Sequence, residues 1–332
     1  MLVIRLQIAF TAVLLLFGVV QSNAQELLFF SVSDARPILS ARDDFLARLS
    51  PFDRAARMKT DRDVTEAQFF QFVAASALNW SQQEKSIVET AFEKIQPAVA
   101  RLKLPLPDKI DVIKTSGDEE GHAAYTRQNA IILPRNVLAS PEKEIQRLLA
   151  HELFHIFSRS HPNLVKRLYK MIGFNYCGEV EFPPNLALQK ITNPDAPKND
   201  YYIQLELGTE KVQAVPILFS KVSKYDVSHG GEFFQYMQLA LLLVGPPAGS
   251  GTPRTLYDSG VPRLIGLQQV SGFFEQVGQN SGYIIHPEEI LADNFALLVL
   301  GERNLRSPEI LLRMKRILAS EQEKEGLPLK ME

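Results

Sequence analysis

The stretch His151-Glu152-Leu153-Phe154-His155 constrains this chain more than any other. Positions four apart share one face of an α-helix, so the two imidazoles stand close enough to grip one metal ion. Ile145, Leu148, Leu149, Leu153, Phe154, Ile156 and Phe157 surround them on nearly all sides. A helix that is apolar all round is a buried helix, and buried imidazoles and carboxylates need partners. A metal would supply them. The fold must therefore hold this segment in its interior and bring further ligands to one of its faces.

The helix is expected over residues 140–157. Ser140 is a plausible N-cap, Pro141 suits the first helical position, and Glu142 and Glu144 favour the positive end of the dipole. Glu152 lies on the sector next to the two imidazoles, where it reaches a metal-bound water rather than the metal. Two neutral nitrogen ligands, an open coordination position and a carboxylate base describe a hydrolytic zinc site. Such a site uses three protein ligands, so one more is needed.

The segment His286-Pro287-Glu288-Glu289-Ile290-Leu291-Ala292-Asp293 offers it. Pro287 and the acidic residues after it start a second helix. Glu289 and Asp293 share a face at a spacing of four, so one carboxylate can bind the metal while the other orients a ligand imidazole. Glu288 is the weaker rival, having no Asp four residues on. His161 is an alternative ligand, at the spacing H-E-x-x-H-x-x-G-x-x-H of the metzincins. Ser158 stands where that pattern has Gly, and the residue before Pro162 avoids helical geometry, so His161 reads better as a helix end.

With H-E-x-x-H on one helix and E-x-x-x-D on a later one, the chain resembles the gluzincin metallopeptidases. Glu289-Ile290-Leu291-Ala292-Asp293 is similar to the second motif of thermolysin-like and CAAX-prenyl-type zinc peptidases. The resemblance covers these two motifs. It implies one Zn2+ per chain held by His151, His155 and Glu289, with Glu152 as general base and Asp293 behind the ligands. The implied activity is hydrolysis of a peptide or protein substrate. A donor for the oxyanion is sought first in Tyr283 and His286, just before the second helix, and then in His229 and Tyr257. A zincin-shaped binding or assembly factor of the cell envelope, with little turnover, is the rival reading. Zinc hydrolysis of a non-peptide amide or ester is another.

A charge of −2 and a pI near 6.3 offer no basic stripe for nucleic acid. Residues 1–24 read as a secretory signal peptide: a positive start at Arg5, an apolar run from Leu6 to Val20, and small residues ending at Ala24. At about 15 apolar residues that run is short for a spanning helix. With no other transmembrane candidate, the chain is expected to be exported to a periplasmic or extracellular space, and its single Cys177 suits a bacterial envelope.

The expected fold is α+β and zincin-like: a small mixed sheet with an active-site helix, largely helical elsewhere. Residues 25–104 form an N-terminal helical region that could mask the site as a prosegment, and 105–332 the metallopeptidase domain. Helices are expected over 64–78 and 82–102, with Asp34, Thr65 and Ser81 cap-like. Strands are expected over 109–114 and 123–133, with 125–132 as the edge that receives substrate. Residues 183–200 read as a surface loop, 201–206 and 211–221 as a hairpin around Gly208, 232–244 and 264–277 as helices, and 307–325 as a last helix.

Overall fold

The computed structural model describes residues 25–246 and 251–325; the expected signal segment lies outside them. The chain is mixed α/β with several sheets. It opens with strand β1 (Glu26–Phe29), helices α1 (Val32–Leu39), α2 (Pro51–Arg57) and α3 (Glu66–Ala75), short strand β2 (Ala77–Leu78) and helix α4 (Gln82–Leu102). Thr65 and Ser81 begin α3 and α4 with reciprocal capping boxes, closed by Gln68 and Glu84. The cap of α1 is Ser31 rather than Asp34, which lies inside the first turn and donates its N–H to the Ser31 hydroxyl.

Strands β3 (Lys109–Thr115), β4 (Tyr125–Arg127) and β5 (Ala130–Pro134) follow. The first sheet runs β1-β3-β5-β4, with β2 also on β3. β1, β3 and β5 are parallel, and β4 turns back antiparallel to form the edge. The expected single strand over 123–133 is thus a hairpin, and Ile132 lies inside the sheet. Residues 25–104 are also not wholly helical: β1 and β2 belong to this sheet, so it crosses the boundary expected at 104/105.

Both faces of the sheet are covered. Ile110, Val112, Ile131 and Leu133 face one core with α4 and helix α5 (Glu142–Ser160). Ile113, Ala130 and Ile132 face the other, with α1 and α3. Phe69 is fully buried there, with Phe70 and Phe72 packed at its margin.

Beyond α5 come α6 (Pro162–Met171), β6 (Phe174–Tyr176) and the short α7 (Pro184–Ala187). The second sheet is built from β6, β7 (Tyr201–Leu207), β8 (Glu210–Ser220) and β9 (Met237–Gly245), antiparallel throughout. The hairpin expected around Gly208 is present, with that residue at φ 62°. β9 overturns the helix expected over 232–244. Leu241 and Leu243 point into the core shared with α5, while Ala240, Leu242 and Val244 point into a separate one. A strand buried on both faces loses its alternation and reads like a buried helix.

The expected helix over 264–277 also gives way. After β10 (Arg254–Thr255), β11 (Tyr257–Asp258) and β12 (Val261–Pro262), residues Leu264–Ile265 form β13 on β9, and only a 3-10 turn over Leu267–Gln269 and the short α8 (Phe273–Val277) are helical. The chain closes with α9 (Pro287–Leu300), ended by Gly301 at φ 67°, and α10 (Pro308–Glu325). Among the described residues no helix is long and apolar enough to cross a membrane.

Because β1, β2 and α4 complete the first sheet and its core, a chain lacking residues 25–104 should be insoluble or lack fixed tertiary packing. Near-UV circular dichroism should be lost. A compact truncated chain that still binds metal would contradict this.

Candidate metal centre

α5 carries His151 and His155, and α9 packs directly against it. The expected Ser140 cap is replaced. Ser140 instead closes the short turn over Arg135–Ala139, donating its N–H to the Val137 carbonyl, and Pro141 precedes the first helical residue. α9 begins at His286, whose Nδ1 accepts from the Glu288 N–H at 3.1 Å. Almost every residue of α9 is buried, which brings its three carboxylates against α5.

The imidazoles are gripped in parallel fashion. His151 Nδ1 lies 3.2 Å from Asp293 Oδ1, and His155 Nδ1 lies 2.9 Å from Glu288 Oε1. Their other nitrogens face the same carboxylate oxygen: Glu289 Oε2 is 3.1 Å from His151 Nε2 and 3.7 Å from His155 Nε2. One potential ligand atom from each of His151, His155 and Glu289 lies within 4.8 Å of the others. A carboxylate at Nδ1 fixes the tautomer that leaves Nε2 free to ligate. Each carboxylate is itself steadied. Asn193 Nδ2 donates to Glu289 Oε1 at 2.6 Å, Ser281 donates to Asp293, and Ser158 and Tyr169 both donate to Glu288.

Glu152 Oε2 and His155 Nε2 are buried with no hydrogen-bond partner. Orphaned polar atoms at that depth are costly, and a cation among the nitrogens answers the cost. The electrostatics agree. Burial opposes charge on His151, yet Asp293 and Glu289 outweigh it and raise its pKa well above the imidazole value. Burial likewise opposes charge on His155, but Asp195 and Glu289 lift it to about 9. Burial pushes Glu152 up, with Asp195 adding to the push. Burial would also raise Glu289, but the His155 and His151 rings pull it well below the carboxylate range. The carboxylates thus demand positive charge at the ring nitrogens. A divalent cation meets that demand in exchange for protons, and the donor set of two nitrogens and one carboxylate suits zinc.

Other candidates fall elsewhere. His161 ends α5, its Nδ1 3.0 Å from the Phe157 carbonyl and its ring stacked on Phe157, outside the converging atoms. Ser158 needs no glycine's freedom, because α5 continues to Ser160. Tyr283 lines a small cavity of about 50 Å³ with His151 and Glu289, whereas His286 lines a different one. Tyr257 is exposed on β11, and His229 sits against Tyr236.

Glu288, Asn193 and Asp195 were not foreseen in their positions. The signal for Glu288 was available: two buried imidazoles each call for a partner at Nδ1, and Asp293 supplies one. Asn193 and Asp195 belong to the stretch expected as a surface loop. That stretch is instead buried over 191–194, because α2 holds it. Thr192 N–H donates to Asp53 Oδ2 at 2.9 Å, and Arg57 Nη2 donates to the Thr192 carbonyl at 3.0 Å. Arg57 also pairs with Asp53 and, at 2.9 Å, with Glu120, and lies 4.1 Å over the Phe233 ring.

No family model, curated protein or solved structure matches the chain. Its chemistry rests on its own geometry.

Two outcomes follow. About one zinc per chain should bind the parent, be lost in His155→Ala and Glu289→Ala, and persist in His161→Ala, as read by mass spectrometry of metal content. Loss in His161→Ala with retention in Glu289→Ala would reverse the assignment. Arg57→Ala should cost about 3–5 kcal/mol in urea unfolding, because it leaves buried carboxylates unpaired; a change below about 1 kcal/mol would contradict the bracing role.

Proposed function

We propose that the protein is an exported zinc metallopeptidase of gluzincin type on a zincin-like fold. One observation carries the reading: His151 Nε2, His155 Nε2 and Glu289 Oε2 converge beside a buried carboxylate oxygen of Glu152 that no donor satisfies. A structural metal site has no need of that oxygen; a hydrolytic one does. The setting of α5 lends support, since it packs beneath a mixed sheet whose edge strand β4 is the one an extended peptide would join.

Zinc, when bound, polarises a scissile carbonyl and brings the pKa of water toward neutrality. The chain's own groups do the rest. His151 and His155 present neutral Nε2 atoms because Asp293 and Glu288 hold their Nδ1 protons. Glu152 takes the proton of the attacking water and passes it to the departing amine. Tyr283, which lines the small cavity beside His151 and Glu289, is the donor for the oxyanion. Desolvation, together with the Glu289 carboxylate, holds its phenol well above the ordinary value, so it keeps its proton.

Glu152→Gln should retain zinc while peptide hydrolysis falls by about 10²–10⁴-fold. Full activity in that variant would overturn the catalytic reading and favour a binding or assembly role.

A further inference from the structure

One carboxylate at the centre belongs to neither the ligand set nor the base. Asp195 lies on the loop between α7 and β7. Its Oδ1 accepts the Thr126 N–H at 2.9 Å, the Thr126 hydroxyl, and Arg159 Nη2 at 3.0 Å. Its Oδ2 receives no hydrogen bond among the described residues. One potential ligand atom from each of Asp195, Glu152 and His155 lies within 4.8 Å of the others. Two carboxylates held that close in a buried setting repel unless a proton or a cation joins them. Glu152 and His155, each carrying a buried atom with no hydrogen-bond partner, are two members of that trio.

A second observation concerns the edge strand. β4 pairs with β5 on one side. Away from β5, the Thr126 N–H is taken by Asp195, and the Thr126 carbonyl accepts from Arg159 Nη2 at 3.1 Å. An extended peptide adding to this edge needs those same groups. Asp195 therefore stands against both the edge and the His155 and Glu152 side of the metal centre. Pro194 and Asp195 also form the wall between the small cavity at His151 and a larger one of about 460 Å³. That larger space lies next to the loop and gives it room to withdraw.

We propose that Asp195 is a displaceable fourth protein ligand, a latch that closes the metal's open position and the substrate edge together until residues 193–198 lift away. The proposal rests on the zinc-peptidase reading. In the latched form Glu289 and Asp195 balance the charge of a dication. On release the Asp195 oxygen leaves the metal, water or a peptide carbonyl takes its place, and the centre regains a net positive charge. The Thr126 N–H becomes free to pair with peptide in the same movement, while its carbonyl stays with Arg159.

The test compares cobalt-substituted parent, Asp195→Ala and Asp195→Asn, the last keeping an acceptor for Thr126. Cobalt affinity by chelator competition and the visible spectrum with acetohydroxamate are the readouts. Both variants should hold cobalt about tenfold more weakly. Both should also bind the hydroxamate more tightly than the parent, with a larger spectral change. A parent that takes up cobalt while both variants match it in affinity and hydroxamate response would overturn the latch alone. A parent that takes up no cobalt would overturn the metal reading and the latch with it.

Discussion

The pairing of two imidazoles on α5 with three carboxylates on α9 governs this molecule. It puts five ionisable groups into an interior of Leu, Ile and Phe, where each must be answered. The Nδ1 atoms are answered within the chain, by Asp293 and Glu288. The Nε2 side of His155 and one oxygen of Glu152 are not. That asymmetry is what the proposed cation would answer, because a network satisfied on one side only is a liability in low dielectric. The packing of α5 on α9 thus follows from chemistry as much as from apolar burial.

Much of the remaining architecture keeps this pairing in register. The first sheet supports α5 from one side, and β1 and β2 from the N-terminal region complete that sheet. α2 pins Thr192 through Asp53 and Arg57, which sets Asn193 on Glu289. Such a brace is sensitive to loss of any member, since a buried guanidinium or carboxylate left alone costs more than the pair contributes. The N-terminal region is therefore part of the scaffold around these residues.

How much could be read from residues alone depended on how local the signal was. α4 and α9 carry their own start and stop signals: a capping box at Ser81, Pro287 inside the first turn, Gly301 beyond the last. The spacings 151/155 and 289/293 each place two groups on one helical face without reference to the rest of the fold. β9 was illegible because burial on both faces erased its period of two. The course of 190–195 was illegible because its partners, Ser50, Asp53 and Arg57, lie over a hundred residues earlier and follow no local pattern. Asp195 looks like any loop aspartate until the fold sets it beside Glu152.

The most direct test of the account is anomalous X-ray diffraction at the zinc absorption edge, on crystals of residues 25–332. The account predicts a single strong anomalous peak bonded to His151 Nε2, His155 Nε2 and Glu289 Oε2 at about 2.0–2.2 Å. Crystals grown with zinc that show no peak there, or a peak held by His161, would contradict it.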